Sequence, residues 1–308
     1  MAAIEAMHAP VSNQPEDVLA PQEKEFSEAP SSGEGGGGVQ AAGEVEDVGQ
    51  GRRAAVALAE RWTAPDTSGL QDIGVASFGP LPSVETVHGP DDRVQITDTS
   101  AYPWRVHASL LITAADSSSW IGTGWFIGPH TLVTAGHVVY IKNSGVSGRD
   151  GWVRSINVMP GRNGSTLPYG QVTSTNFWTV NGWADSGDEN FDYAAIILPS
   201  DLGNTVGWFG FGTYPDADLA AATVNISGYP GDEPDGTHWY DSHQVASVNT
   251  HKVHYDIDTF GGQSGGSVYR IINGDRYGVA VHAYGGATTN SGTRINQQVF
   301  DNLLSWRA

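Results

Sequence analysis

From about residue 83 to its end, the sequence consists of short runs rich in β-branched and aromatic residues, separated by Gly, Pro, Asn and Asp. Many short strands at this turn-punctuated spacing favour a sandwich or barrel over a fold in which strands alternate with helices. The 40 glycines support the same conclusion, because tight turns use them. The predicted strands cover residues 106–113, 124–127, 131–134, 193–198, 223–228, 243–257, 267–272 and 277–281.

Two local patterns near the C-terminus are more specific. Asn273-Gly274 lies between two strand-like runs and is the dipeptide that most strongly indicates a two-residue hairpin turn. Further on, Ile295, Val299 and Leu303 recur at intervals of four residues, which predicts an amphipathic helix over about residues 295–307. Elsewhere in this region no helical periodicity is clear.

Residues 1–85 differ from the rest of the chain. They contain 14 acidic residues against 4 basic ones, and residues 31–38 form a Gly/Ser tract of the linker type. Such a segment buries little apolar surface, so we expect it to be disordered on its own. The predicted organisation is an acidic N-terminal extension at 1–85 and one folded domain at 86–308.

Charge and cysteine content exclude several classes of function. The formal charge is −19, so nucleic acids and anionic membrane surfaces are disfavoured as partners. The chain has no Cys, which excludes thiol catalysis, cysteine-based metal sites and disulfides. It contains no long apolar window typical of a membrane span, and residues 1–30 lack the apolar core of a signal peptide.

The sequence Gly-Gly-Gln-Ser-Gly-Gly-Ser at residues 261–267 is the most informative about chemistry. A nucleophilic serine in acyl transfer needs backbone N–H groups that converge on the developing oxyanion, and flanking glycines let the chain turn tightly there. Ser264 is the candidate nucleophile, and the N–H groups of Gly262 and Ser264 are the expected oxyanion donors. Taken alone, an ordinary glycine-rich loop explains this stretch about as well.

Two other stretches supply the groups that such a serine needs. His137 follows the predicted strand 131–134 at the end of Thr-Ala-Gly-His, where an imidazole can act as a general base. Asp192 directly precedes an apolar run at 193–198, and a buried carboxylate needs a partner such as a histidine N–H. A lone histidine at such a position would more often be structural.

In their order His, Asp, Ser, the three segments resemble the trypsin-like serine proteases. The resemblance implies an all-β chymotrypsin-like fold of two six-stranded antiparallel β-barrels, at about 100–200 and 205–290, with a C-terminal helix and a disordered N-terminal extension. It also implies that Ser264 attacks the scissile carbonyl, that His137 passes the proton to the leaving amine, and that Asp192 orients the imidazole.

Four further stretches look like those of the bacterial glutamyl endopeptidases. They lie at residues 92–99, 228–232, 255–259 and 292–295, and they extend the resemblance over about residues 86–308. The resemblance implies a preference for Glu, or for Asp, before the scissile bond.

The same resemblance implies a pocket for the acidic side chain. His282 matches the histidine of a His-x-x-Gly-Gly sequence that contacts the substrate's Glu, and Thr259 matches a hydroxyl in that pocket. In this family the mature N-terminus also helps to bind the acidic group. That places the mature N-terminus near Thr86, after self-cleavage at Glu85. The alternatives are a structural His282 and a permanent disordered tail.

We therefore expect a secreted serine endopeptidase, made as a zymogen, that acts as a monomer on protein or peptide substrates without a cofactor. We expect no metal, because the acidic loop at 232–241 lacks the regular alternation of a calcium-binding loop. One alternative is a catalytically silent binding or scaffold protein on the same fold. Another is an esterase of the nucleophile-elbow class, whose fold requires a helix after Ser264, where the sequence predicts a strand.

Overall fold

The computed structural model describes residues 2–15, 44–48, 52–53, 62–78, 87–286 and 288–308. The expected cleavage site, Glu85 and Thr86, lies outside these residues. Within them, two antiparallel β-barrels form the body of the molecule, and the described parts of the N-terminal extension lie against that body.

The extension contributes five short elements. Each of its three strands pairs antiparallel with a strand of the body. This differs from a wholly disordered extension because the body supplies the hydrogen-bond partners and apolar surface that the isolated segment lacks. The elements are α1 (Ala2–Met7), β1 (Pro10–Ser12), β2 (Arg52–Arg53), β3 (Trp62–Thr63) and α2 (Ile73–Phe78).

The first barrel closes through six antiparallel strands when β13 and β14, separated only by Thr175, are counted as one bent strand. Its order is β6-β7-β8-β15-β14/β13-β11, and β11 pairs again with β6. These strands are β6 (His107–Thr113), β7 (Ser119–Phe126), β8 (Thr131–Thr134), β11 (Ser155–Pro160), β13 (Val172–Ser174), β14 (Asn176–Val180) and β15 (Ala194–Ile197). Shorter strands beside them are β4 (Val94–Ile96), β5 (Ala101–Tyr102), β9 (Tyr140–Ile141), β10 (Gly151–Trp152) and β12 (Thr166–Leu167).

The second barrel also closes, in the order β17-β18-β19-β22-β21-β20, with β20 pairing back to β17. The short strand β16 (Gly210–Phe211) runs parallel to β21, and β4 extends the sheet beside β18. The barrel strands are β17 (Thr223–Gly228), β18 (His238–Val248), β19 (Lys252–Tyr255), β20 (Ser267–Ile272), β21 (Asp275–Tyr284) and β22 (Asn290–Arg294). The expected all-β double barrel is thus confirmed.

Two local predictions have opposite outcomes. Asn273 and Gly274 join β20 to β21 with φ angles of 54° and 86°, so the predicted hairpin is confirmed. A single strand over 243–257 is wrong, because the chain turns between β18 and β19. Asn249 makes that turn: its side-chain oxygen accepts from the backbone N–H groups of His251 and Lys252 at 2.9 and 2.8 Å.

The predicted C-terminal helix is confirmed as α7, and it packs on the first barrel. Asn296 caps it by accepting from the N–H of Val299 at 3.1 Å. Its buried face includes Leu303 and Trp306, and the Trp306 carbonyl accepts from the Thr131 hydroxyl of β8 at 2.9 Å. This helix spans Gln297–Trp306, and the other α-helices of the body are short: α3 (Gly136–Val139), α4 (Asn181–Ala184), α5 (Gly203–Val206) and α6 (Asp216–Ala220).

The two barrels pack directly against each other. Trp125 of β7 lies so close to Gly278 of β21 that a Cβ there would be 2.4 Å from the indole. Nearby, His107 Nε2 lies 2.7 Å from Ser267 Oγ across the same interface. Among the described residues, no helix is both long and apolar enough to cross a membrane.

Candidate active site

His137 is held against Asp192 by two hydrogen bonds. Its Nδ1 lies 2.7 Å from Asp192 Oδ2, and its backbone N–H donates to Oδ1 at 2.8 Å. Both side chains are fully buried. The approach depends on Gly136, where a Cβ would lie 2.9 Å from Asp192 Oδ1 and 2.8 Å from Trp183 Cγ. A larger residue before the histidine would therefore separate the pair.

Asp192 has two further partners, both from the second barrel. Tyr284 donates its hydroxyl to Asp192 Oδ2, and Lys252 Nζ lies 4.1 Å from the centroid of the Tyr284 ring. Burial alone would raise the pKa of Asp192, but the charges and hydrogen bonds of His137, Tyr284 and Lys252 together lower it. Asp192 is therefore ionised at neutral pH although it is buried.

Lys252 is unusual for a lysine because it is buried. Its Nζ donates to the Glu189 carbonyl at 2.6 Å, in the turn that leads to Asp192. Burial lowers the pKa of Lys252 to about 8, against the opposing pull of Asp192 and other nearby carboxylates.

The loop that carries Ser264 lies between β7 and β21 and is hydrogen-bonded to both. The Ser264 carbonyl accepts from Thr123 N–H at 2.9 Å, and the next N–H, of Gly265, donates to the His282 carbonyl at 2.7 Å. Gly265 has a φ of 87°, and a Cβ there would lie 2.1 Å from Thr134 Oγ1. Glycine is required at this point, and it lets the loop approach the end of β8, three residues before the histidine.

A carboxylate from the N-terminal extension lies beside Ser264. Asp72 Oδ2 accepts from the Gly262 N–H at 2.6 Å, while its Oδ1 accepts from the Gly74 N–H at 2.5 Å and from Ser264 Oγ at 3.3 Å. Burial raises the pKa of Asp72, although the charge of His137 and the three donors oppose that effect. The candidate nucleophile, one expected oxyanion donor and the imidazole therefore surround one carboxyl group.

The aromatic ring that follows on the same segment lies over the histidine. Phe78, at the end of α2, packs edge-on against His137, Trp183 and Tyr284, with ring centroids 5.5, 5.8 and 5.3 Å away. His137 and Ser264 are both fully buried. In this form of the protein a substrate cannot reach either side chain.

The expected pocket residues lie in the second barrel. His282 is fully buried, its Nδ1 lies 2.7 Å from the Tyr255 hydroxyl, and burial lowers its pKa to about 3, so that the ring is neutral. Thr259 is also fully buried, and its hydroxyl has no hydrogen-bond partner in the part of the chain that the structure describes. A buried hydroxyl left in that state is costly.

The described chain resumes at residue 87, near this pocket. Thr86 is outside the described residues, but the His88 N–H donates at 2.5 Å to Asp258, which directly precedes the buried threonine. Further on, buried Arg93 pairs with Asp232 at 2.6 Å. The Arg93–Asp232 pair connects two of the stretches that resemble the glutamyl endopeptidases.

Ion pairs engage most of the acidic loop at 232–241. Arg93 contacts Glu233 at 3.7 Å as well as Asp232, and Arg162 pairs with Asp235 at 2.9 Å. The carboxylates that the sequence presents as a cluster are thus largely matched with buried guanidinium groups.

The structure brings the sequence-predicted residues into two groups. One contains His137, Asp192, Ser264 and Gly262, and the other contains the pocket pair described above. Sequence reasoning missed Asp72, Tyr284 and Lys252, whose contacts join distant segments. The only available signal was the position of the tyrosine within the His-x-x-Gly-Gly sequence.

Comparisons with known proteins show which family the chain belongs to. A family model described as a trypsin-like peptidase domain matches residues 122–279. A glutamyl endopeptidase of Bacillus licheniformis (strain ATCC 14580) is 44% identical over 235 residues, which is 73% of this chain and 70% of that protein. A Bacillus subtilis (strain 168) protein named extracellular metalloprotease is 40% identical over 223 residues, 72% of this chain and 69% of that protein.

Solved structures give the same result. A glutamyl endopeptidase in complex with MPD aligns with a TM-score of 0.62 at 29% identity, over 72% of this chain and 100% of that one. The protease Anisep from Arthrobacter nicotinovorans aligns with a TM-score of 0.53 at 18% identity, over 64% of this chain and 93% of that one, which shows a shared fold alone.

Proposed function

This chain belongs to the trypsin-like peptidase family and is a serine-type endopeptidase related to the glutamyl endopeptidases, and we propose that His137, Asp192 and Ser264 catalyse its reaction. The observation that carries this assignment is the pair of hydrogen bonds from His137 to the ionised Asp192. Because the carboxylate accepts from Nδ1, it fixes the tautomer that leaves Nε2 basic.

The chemical steps follow from these positions. Ser264 Oγ attacks the scissile carbonyl carbon while His137 Nε2 takes its proton, and the N–H groups of Gly262 and Ser264 stabilise the oxyanion. The imidazolium then protonates the leaving amine as the C–N bond breaks, which leaves an acyl-enzyme. Water, deprotonated by the same histidine, attacks the ester and releases the acid, and the serine recovers its proton.

The triad assignment is tested by removing the nucleophile. In Ser264→Ala we expect kcat to fall by about 10⁴- to 10⁶-fold in the processed enzyme. Ser247→Ala, at an exposed serine of the same barrel, is the matched control and should keep full activity. Retention of full activity by Ser264→Ala would exclude the assignment.

We further propose that the pocket at His282 and Thr259 selects Glu, or Asp, before the scissile bond. The Tyr255 hydroxyl lies 2.7 Å from His282 Nδ1, and we propose that the hydroxyl donates there. In that arrangement the neutral ring carries its proton on Nε2 and donates it to the substrate carboxylate. The hydroxyl of Thr259 is a second donor in the same region. Relatives named glutamyl endopeptidase support the same preference.

Digestion of a peptide library by the processed enzyme, read by mass spectrometry, tests the preference directly. We expect cleavage after Glu above all other residues. In His282→Ala we expect kcat/KM for a Glu substrate to fall by about 10- to 100-fold, the loss of a hydrogen bond to a charged group. His254→Ala is the matched control. Cleavage mainly after Lys, Arg or aromatic residues would contradict the proposal.

The proposed function includes synthesis as a secreted zymogen, with residues 1–85 as a propeptide removed by self-cleavage after Glu85. The burial of His137 and Ser264 beneath extension residues supports this, since the form described here cannot admit a substrate. The printed name of the B. subtilis relative, which includes the word extracellular, supports secretion. Intact-mass and N-terminal analysis of active protein should give a chain that starts at Thr86, and an active chain that retains residue 1 would contradict it.

A further inference from the structure

We propose that Asp72 is an intramolecular ligand of the oxyanion hole, and that this contact holds the N-terminal extension in the catalytic site. The inference depends on the proposed function, because it takes Ser264 as the nucleophile and Gly262 as an oxyanion donor. It goes further by assigning the inhibition to one side chain and by naming the carboxyl group as the class of ligand that this hole accepts.

Both oxygens of Asp72 contact groups that the proposed reaction uses. The N–H of Gly262, expected to stabilise the negative oxygen of the tetrahedral intermediate, donates instead to Asp72 Oδ2 at 2.6 Å. Ser264 Oγ, the attacking atom, donates to Oδ1 of the same carboxyl group at 3.3 Å. One side chain thus engages both the hydroxyl that must attack and a donor that must stabilise the product of attack.

The side chain of Asp72 has the chemistry of an inhibitor and not of a substrate. Asp72 presents a side-chain carboxyl group, which has no amine leaving group and therefore no bond for the enzyme to cleave. Its oxygens satisfy the donors in the hole without providing a scissile peptide. The Asp72 side chain therefore blocks the site without being cleaved, as an inhibitory group must.

The extension is anchored to the body on both sides of Asp72. On one side, the Gln71 carbonyl accepts from Ile121 N–H of β7 at 3.0 Å, and the Thr67 hydroxyl accepts from Arg162 at 2.8 Å. On the other side, Phe78 lies against the imidazole of His137. The carboxyl group is therefore presented to the hole by a segment fixed to the body at separate points.

A purely local role for Asp72 must be separated from this one. Its Oδ1 also accepts from the Gly74 N–H, which is the contact of a helix N-cap at the start of α2. An asparagine caps helices as well as an aspartate does. However, an amide has one acceptor oxygen and one donor nitrogen, so it turns an NH₂ group toward either the Gly74 or the Gly262 N–H. Asp72→Asn can therefore keep the cap while losing the contact with the hole.

The experiment measures how fast a fluorophosphonate probe labels Ser264 in the uncleaved full-length chain. All variants carry Glu85→Gln to block the proposed cleavage, and labelling is quantified only in the full-length band. We expect slow labelling of the parent, an increase of about tenfold in Asp72→Asn, and an increase of about 10- to 100-fold in Asp72→Ala. Asp66→Asn, an exposed aspartate of the same segment, is the matched control and should leave the rate unchanged.

The outcomes separate this inference from the proposed function. Processed wild-type enzyme must label rapidly at Ser264, and failure there would contradict the proposed function itself. If the processed enzyme labels and both Asp72 variants label as slowly as the parent, Asp72 does not hold the extension in the site. Circular dichroism melts check that the body stays folded, and if Asp72→Ala does not fold, the capped Asp72→Asn variant decides the question.

Discussion

Two buried carboxyl groups face His137, and the same burial has opposite results for them. Asp192 receives two hydrogen bonds from the histidine and one from Tyr284, with Lys252 behind the tyrosine, and its pKa is lowered. Asp72 receives hydrogen bonds from two backbone N–H groups and a hydroxyl, and its pKa is raised. Desolvation is the largest single influence on both, so the direction depends on whether the opposing charges and hydrogen bonds together exceed it, as they do for Asp192 and not for Asp72.

The two carboxyl groups also differ in whether they remain in the processed enzyme. Asp192 and the partners named above all belong to the body of the molecule, whereas Asp72 belongs to the extension that the proposed cleavage removes. A catalytic carboxylate must stay ionised through every cycle, and cationic partners keep it so. An inhibitory carboxyl group must dissociate from the site once the extension is cleaved. Neutral donors such as backbone N–H groups and a hydroxyl are sufficient to hold Asp72 until then.

The largest expected difference between the two appears on substitution by asparagine. Asp192→Asn should lower kcat of the processed enzyme by about 10⁴-fold, because the amide no longer stabilises the tautomer and the imidazolium that the reaction needs. Asp72→Asn should leave kcat of the processed enzyme unchanged, since that residue lies in the extension. Steady-state kinetics on a Glu-containing peptide substrate checks both.

If the two variants had the same kcat, the proposed difference in role between Asp192 and Asp72 would be wrong. A loss for Asp192→Asn of less than about tenfold would remove Asp192 from the triad. A processed Asp72→Asn enzyme with lowered kcat would mean that the extension remains part of the working active site.

The next-largest effect on kcat is expected at Tyr284, which donates a hydrogen bond to Asp192. Tyr284→Phe removes the hydroxyl that donates to Asp192 Oδ2 and helps to lower its pKa. We expect kcat to fall by about tenfold with little change in KM, because a hydrogen bond to a charged group is lost while the pocket stays intact. Tyr277→Phe on the same strand is the matched control, and an equal loss there would show a packing effect instead.

The smallest expected effect is a difference in pH dependence. A raised pKa means that the docked Asp72 binds a proton that the undocked group has released, so docking weakens as pH rises from 3.8 toward the docked pKa. Asp192 behaves oppositely: its stabilising contribution is complete above 3.8 and is lost as pH falls through its lowered pKa. His137 and His282 also face Asp72, so their titration must be removed by a reference.

The measurement is the ratio of Ser264 labelling in the uncleaved chain to that in the processed enzyme, from about pH 4 to 8. We expect this ratio to rise with pH in the parent and to be flat in Asp72→Ala. A rise of the same size in Asp72→Ala would assign the effect to the histidines.

Much of the fold and of the triad could be predicted because the requirements are local. Asn273-Gly274 forms a hairpin wherever it joins two strands, and α7 follows from a four-residue apolar repeat. Gly136 and Gly265 stand where a Cβ would collide with Asp192 or with β8, so glycine is needed beside the histidine and the serine of this chain. The predicted strand over 243–257 failed because one side chain, that of Asn249, was enough to turn the chain.

By itself, the sequence determined many of the strands, the order of the three reactive residues and the glycines that let them approach one another, because these depend on neighbours in the chain. Only the tertiary structure decided which of the acidic residues of the extension lies beside Ser264, and which tyrosine and lysine support Asp192. Those partners come from segments far apart in sequence, and their effect depends on distance and burial, which exist only once the barrels have closed.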